Sequence, residues 1–465
     1  MRVLLVQPGH CGVYGKMEGL VHAYPPLGLM QIASVLREWR GDHVRIVDLE
    51  VTKVPLSELS LLNEDWDVIG MTAMTPSFAA AIEICDYIRK KKPDAKIVFG
   101  GPHVSALPDE LARNKCIDYI VMGEAEETIK ELLDSIERNG KGIEKVRGIA
   151  YMKAGRLKLN EPRPLIEDIN SIPFPAYDLI DLKSYSHPVQ RREPLAIVIT
   201  TRGCPGQCTF CCKDIFGRRI RIRSAQNVCD EIESLTKNHG VREIQIIDDT
   251  FTFIKKHAMD VSREMIRRKF DIAWRCGVRA DTVDYDLLRT MKEAGCYNIS
   301  VGVESGSQKI LDSVKKGTTL LQVRQCFRAA KKAGIETTAF FMIGFPEDTN
   351  ETIEQTLEFA KELNADITKF TIVTPIPGSE MFSDLKSEDM LFTESWSDYR
   401  FHDKPVFRLK HLKPEEVVAW YKKAYRAVYL RPVTLLNILK TIRNPLTLRR
   451  TLKSSSVVAR MLIRK

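Results

Sequence analysis

Nowhere in the 465 residues does an apolar run reach the roughly 20 residues needed to cross a bilayer. The opening residues, MRVLLVQPGH, lack the apolar core and small-residue cleavage site of a secretory leader. The cytoplasm is therefore the expected compartment. A disulfide framework is missing too: the cysteines number eleven, and Cys85, Cys116, Cys229, Cys276, Cys296 and Cys326 stand singly within helix-like or strand-like stretches. A dinucleotide-binding GxGxxG is absent, because Gly9, Gly12 and Gly15 follow the first apolar run at the wrong spacing. Acidic residues stop at Glu416. Twelve Lys and Arg lie between Lys422 and Lys465, so the formal net charge of +9 belongs to the C-terminus.

What is present is the balance of a globular protein, 44% hydrophobic and 28% charged, in a chain long enough for two or three domains. Short apolar runs alternate with amphipathic stretches, the pattern of an α/β protein with parallel sheets. Residues 1–145 read as a doubly wound, Rossmann-like domain. Its strands are expected at Arg2–Gln7, His43–Asp48, Asp67–Ala73, Lys96–Phe99 and Tyr119–Met122, and its helices at Leu27–Trp39, Phe78–Lys91 and Glu126–Glu137. Residues 146–190 read as a linker, whose prolines between about Gly155 and Pro194 argue against regular structure. Residues 191–380 hold six further strand–helix units, which points to a partial (β/α)6 barrel of the TIM type. Residues 381–465 read as a small, mostly helical C-terminal domain ending in the basic tail.

Chemistry concentrates at Cys204-Pro-Gly-Gln-Cys208-Thr-Phe-Cys211, directly after the first strand of the barrel. Loops leaving the C-terminal ends of barrel strands carry the chemistry of such folds. Spacing of three and then two residues lets one loop supply a thiolate to each of three irons of a cubane. Iron–sulfur clusters commonly take four thiolates, so three leave one iron open to another ligand. A zinc site is the competing reading, although no second CxxC or His pair follows at zinc-finger spacing. Cys212, immediately beside Cys211, reads as a packing residue.

The CxxxCxxC loop with its aromatic Phe210 resembles that of the radical SAM superfamily. The resemblance spans about Leu195 to Gly378 and includes IIDDTFT at Ile246–Thr252, GVESGS at Gly302–Ser307, FMIGFPEDT at Phe341–Thr349 and TPIPGS at Thr374–Ser379. It implies a 4Fe–4S cluster on Cys204, Cys208 and Cys211, with S-adenosylmethionine (SAM) on the open iron. It also implies reductive cleavage of SAM to a 5′-deoxyadenosyl radical, with electrons from a donor such as ferredoxin or flavodoxin. Phe210, Asp248, Asp249, Arg279 and Glu304 are the SAM-binding candidates by the same analogy. Arg279 has a plainer reading as the partner of Asp281.

The first domain, with GGPH at Gly100–His103, GEAE at Gly123–Glu126 and YPPLGL at Tyr24–Leu29, looks like the cobalamin-binding domain fused ahead of many radical SAM enzymes. The matching positions for a cobalamin ligand are Thr72, Ala73, Met74, Gly100, Gly101 and Gly123. The DxHxxG of other cobalamin domains is reduced here to Pro8, His10 and Val13, so His10 reads as a loop residue without a cobalt role. The combined resemblance implies methylation of an unactivated carbon in a small-molecule or lipid-like precursor. Oxidative cyclisation, as in the anaerobic Mg-protoporphyrin monomethyl ester cyclases, is the alternative. A methylthiotransferase fits less well, because the N-terminal domain has only the scattered Cys11, Cys85 and Cys116. A corrin carrier would have no use for the barrel. The basic tail reads as packed helices, as a peripheral membrane contact, or as a nucleic-acid arm; the lack of aromatics beyond Tyr429 disfavours the last.

Overall fold

A computed structural model of the chain describes residues 1–9, 23–52 and 56–434, together with 437, 442, 446–448 and 451. His10 and most of the basic tail lie outside the described residues. The N-terminal sheet begins with β1 (Arg2–Gln7), β2 (His43–Asp48), β3 (Val68–Thr72), β4 (Lys96–Gly100) and β5 (Tyr119–Val121), all parallel in the order β2-β1-β3-β4-β5. Val3, Leu4, Leu5 and Val6 are all buried, as a strand covered on both faces requires. The covering helices are α1 (Leu27–Arg40), α2 (Phe78–Lys91), the short α3 (Pro102–Ala106) and α4 (Glu110–Arg113), and α5 (Glu126–Glu137). Two cores result, one built on Phe78, Ala81 and Cys85 of α2 and the other on Leu29 and Leu36 of α1 with Leu132 and Leu133 of α5. Strand order reverses between β1 and β3, so the loops at the C-terminal ends of these strands border a crevice.

The segment expected to be an irregular linker opens instead as an antiparallel hairpin, β6 (Ile149–Lys153) and β7 (Arg156–Leu159), which extends the sheet to seven strands. The prolines that argued against structure begin only after β7. Pairing with β5 fixes β6 through Ile149 and Ala150, both fully buried.

The barrel contains β8 (Leu195–Val198), a two-residue ladder of β9 (Thr201–Arg202) with β10 (Arg221–Ile222), then β11 (Glu243–Ile246), β12 (Ala273–Val278), β13 (Cys296–Glu304), β14 (Glu336–Ile343) and β15 (Ile367–Ile372). Six of them form one parallel sheet in the order β15-β14-β13-β12-β11-β8. Its helices are α6 (Ala225–His239), α7 (Lys255–Arg267), α8 (Tyr285–Glu293), α9 (Gln308–Ser313), α10 (Leu320–Ala333) and α11 (Asn350–Leu363). Ser224, Asp284, Thr319 and Thr349 cap α6, α8, α10 and α11 by accepting backbone N–H bonds, each worth about 1 kcal/mol. These caps hold the loops above the strands where the chemistry sits.

After the barrel come α12 (Glu380–Ser387) and α13 (Pro414–Tyr429). The residues through Val428 share the barrel's core. Phe370 of β15 meets Tyr425 of α13 edge-on at 5.5 Å, and the Ile372 amide donates to Phe401 O at 2.8 Å along the open edge of the sheet. Trp396 reaches back to the first domain, its indole N–H donating to Glu110 at 2.9 Å and its ring lying 4.9 Å from that of His103.

Candidate active site at the cluster loop and the interdomain cavity

The three cysteines hang from a stem. β9 and β10 close the segment between Gly203 and Ile220, and the Cys204 amide donates to Gly217 O at 3.2 Å. Gly203 has φ +94°, and a Cβ there would stand 2.2 Å from Arg219 O, so only glycine fits the base of the loop. Neighbouring strand-end loops brace it: the Thr209 amide donates to Val314 O at 3.0 Å and the Met381 amide to Thr209 O at 2.9 Å.

Cations surround the thiols. Arg279 Nη1, Lys213 Nζ and Cys204 Sγ all lie within 4 Å of the point a Gly206 Cβ would occupy. The Cys208 thiol is held down at about 6 by its hydrogen bond with Cys211, assisted by Lys316 and Arg279, against the cost of burial. Thiolate is the ligating form of cysteine, so this environment suits metal binding. Burial pushes Cys212 the other way, to about 11, in keeping with a packing role. Among the described residues no three His, Cys, Asp or Glu side chains gather as a single metal ion would need. Three thiols, one loop and a cationic rim fit a cluster with one iron left to an outside ligand.

The SAM candidates divide. Arg279 forks onto Asp281 with two bonds of 3.0 Å and donates to Lys316 O, which holds the guanidinium beside the cysteine loop. The pairing with Asp281 is therefore realised, and it leaves the guanidinium beside the cysteine loop. Glu304, at φ +66°, accepts from Lys316 Nζ at 2.7 Å, and the pair lies across Gly302, whose Cβ would sit 2.4 Å from Glu304 Oε1. Phe210 is half-buried with its ring 5.8 Å from that of Phe345. Asp249 is exposed into a cavity beside Lys213. Asp248 is turned inward: its carboxylate accepts from the Thr200 amide at 2.6 Å and the Thr200 hydroxyl at 2.5 Å, and burial raises it to about 6. The geometry makes Asp248 a strut between the loops after β8 and β11.

The cavity, about 460 Å³, lies between the strand ends of the first sheet and the cysteine loop. Thr72, Gly100, Gly101 and Gly123 line one side, and Cys212, Lys213 and Asp249 the other. Ala73 and Met74 do not line it; Ala73 is buried, its amide donating to Gly100 O at 3.2 Å, and Met74 is exposed. A Cβ on Gly28 would meet nothing within 4 Å, and one on Gly100 or Gly123 would meet only a carbonyl oxygen at 3.8 Å, so none of the three is closely packed against. These glycines form a cradle that side chains would fill, and a flat, largely apolar ligand tail fits it.

Across the cavity's rim runs a buried ionic clasp. Glu124, in the loop after β5, accepts from Arg202 Nη1 at 2.8 Å, Arg221 Nη1 at 2.6 Å and the Ile166 amide at 2.9 Å, while Glu126 accepts from Arg202 Nη2 at 2.6 Å. All four charged residues are buried. Arg202 and Arg221 are the two sides of the stem that carries the cysteines.

The radical SAM superfamily model matches residues 198–360, and the B12 binding domain model matches residues 19–133. A Pyrococcus horikoshii protein described as an uncharacterized methyltransferase, PH0819, is 36% identical over 440 residues, 94% of this chain and 94% of its own. The chain belongs to the cobalamin-binding radical SAM enzymes. An anaerobic magnesium-protoporphyrin IX monomethyl ester cyclase of Rubrivivax gelatinosus is 29% identical over 446 residues, 94% of this chain and 78% of the cyclase. Among solved structures, the methyltransferase TsrM from Kitasatospora setae with cobalamin and a 4Fe–4S cluster bound has the same fold, with a TM-score of 0.75 at 19% identity over 99% of each chain.

The cofactors of this radical SAM enzyme are thus a 4Fe–4S cluster, SAM and cobalamin. Lys316, Lys213, Glu124 and Arg221 were not singled out from the sequence. Arg202 did carry a signal, as a basic residue two positions before Cys204. Gly101 offers a test of the cradle. At φ +97° an alanine Cβ would stand 2.5 Å from Thr72 Oγ1 and 3.0 Å from Ala73 O. Gly101→Ala is expected to cost about 1–3 kcal/mol in chemical denaturation and to weaken cobalamin retention on a desalting column. Gly41→Ala, at φ +73° with nothing within 4 Å, isolates the backbone strain and should leave retention intact.

Proposed function

We propose that this radical SAM enzyme methylates an unactivated carbon of a small-molecule or lipid-like precursor. The observation that carries the reading is the shared cavity: its walls come from the cobalamin cradle and from the residues that immediately follow Cys211, so both cofactors would open onto one space. When bound, the cofactors supply a carbon-centred oxidant and a transferable methyl group. The chain's own part is positional. Cys204, Cys208 and Cys211 would hold the cluster, with Lys316 and Arg279 favouring the Cys208 thiolate. Asp249, Arg279 and the Glu304–Lys316 pair line the rim where the amino and carboxylate groups of SAM would be gripped. Apolar residues such as Phe216 and Ile215 keep water from the cavity. A small reductant such as ferredoxin or flavodoxin would supply electrons, and the basic tail would rest on an anionic membrane surface when the precursor is a lipid.

The test is an anaerobic preparation reconstituted with iron, sulfide and cobalamin, given methyl-labelled SAM and a small-molecule extract of the source cells. Label entering a small molecule, with S-adenosylhomocysteine and 5′-deoxyadenosine formed together, supports methylation. Deoxyadenosine without homocysteine product favours cyclisation or oxidation, and no SAM cleavage overturns the enzymatic reading.

A further inference from the structure

Within the barrel, two cations stand on strand faces that point away from the helices. On β15, Phe370 packs outward against Tyr425, so the alternate residue Lys369 faces the interior. On β12, Trp274 and Cys276 belong to the outer core, so Arg275 also faces inward, where it is 3% exposed. Gln245, His187 and Tyr24 hold the two terminal nitrogens of Arg275 from one side, while its Nε is buried without a partner. Among the described residues no group accepts from the Lys369 ammonium, which lies 5.5 Å from the centroid of the Phe340 ring.

Among the described residues neither cation forms an ion pair with a carboxylate. Glu243 lies close enough to feel the charge of Arg275 without pairing with it, and accepts from the Tyr297 hydroxyl and the Arg191 and Arg192 amides. Glu304 is committed to Lys316 and Asp281 to Arg279. His402, along the open edge of the sheet, shares a hydrogen bond of 2.9 Å with Tyr421 OH and is kept neutral by burial and by Lys369. Burial, with the charge of Arg275, also lowers Lys369 itself to about 8. A half-buried ammonium without an acceptor, close to a buried guanidinium whose Nε has none, is unfavourable, and such arrangements are found where a ligand completes them.

We infer that the barrel interior receives an anionic group of the substrate, a carboxylate or phosphate, clamped between Lys369 and Arg275. This rests on the enzymatic reading above and adds a substrate class to it. Lys369 is in register with Phe340, and Phe340 with Gly302, the residue beneath the Glu304–Lys316 pair. A substrate anchored there by its anionic end would extend toward the rim where SAM would be gripped. The two cations would set its depth and so choose the carbon presented for reaction.

The experiment titrates inorganic phosphate and, separately, acetate into the full-length protein at constant ionic strength, with calorimetry as the readout. Wild type should bind at least one of them, and the tighter one names the anionic group. Lys369→Met should weaken that binding by about tenfold or more, while Lys369→Arg retains it. Without anion, Lys369→Met should melt no lower than wild type, because a half-buried ammonium without an acceptor has been removed. Equal affinity in wild type and Lys369→Met, absence of binding to wild type, or a lower melting temperature for Lys369→Met would each overturn the inference. SAM cleavage by the reconstituted wild type is read separately. Cleavage with anion binding indifferent to Lys369 sinks this inference alone, and Lys369-dependent binding without cleavage upholds the anion site while sinking the enzymatic reading.

Discussion

Alanine at Cys204, Cys208 or Cys211 is expected to abolish formation of 5′-deoxyadenosine, a loss of more than about 10³-fold given that enzymatic accelerations start near 10⁶. With one thiolate on each of three irons, removing one would leave a second iron open and the cluster labile to oxygen and chelators. Iron and sulfide content and the visible spectrum of anaerobic preparations should fall together with activity. The folded barrel should survive, because the three cysteines sit on a loop braced by backbone bonds to Val314 and Met381 rather than in the core. Cys229→Ala serves as the comparison: this residue is fully buried on α6, and its loss should reduce stability modestly while leaving iron content unchanged. Stoichiometric zinc in place of iron in such preparations would contradict the assignment.

The second large effect is expected at Glu124. Glu124→Ala leaves Arg202 and Arg221 buried with half or more of their counter-charge gone, and breaking a buried pair from one side costs about 3–5 kcal/mol. The desolvation cost of Arg221 then has no ionic return and that of Arg202 only the one from Glu126, which is why this change should far exceed loss of the exposed Arg37–Asp178 pair, worth under about 1 kcal/mol. The midpoint of urea denaturation checks the magnitude. A second readout separates local from global damage: because both arginines form the stem of the cysteine loop, iron retention should fall in Glu124→Ala even at temperatures where circular dichroism remains native.

Local periodicity carried much of the architecture. β1, β2 and α2 lie where the apolar pattern put them, since strands buried on both faces read as continuous apolar runs. The cysteine spacing likewise pointed to the radical SAM family, because its logic is contained within eight residues. β7 escaped notice because RLKL is a short edge strand whose outward faces are charged and whose neighbours are proline-rich; its existence depends on a hairpin partner. Asp248 and Asp249 are adjacent and indistinguishable as letters, yet Thr200, on another strand end, draws only the first inward. The clasp was invisible for the same reason: Glu124 and Arg202 are 78 positions apart, and no local rule connects them. The docking of α13 on β15 depends on aromatic pairing between Phe370 and Tyr425 that emerges only in three dimensions.

The clasp between the first domain and the cysteine stem also bears on how such chains could recombine. A barrel excised from its N-terminal half would expose Arg202 and Arg221 as two stranded cations at the root of its most reactive loop. A foreign N-terminal half would succeed only if it delivered a carboxylate at the same height after its fifth strand. Grafting experiments on this scaffold would therefore do best to carry GEAE and TTRGC together, as one transplantable seam.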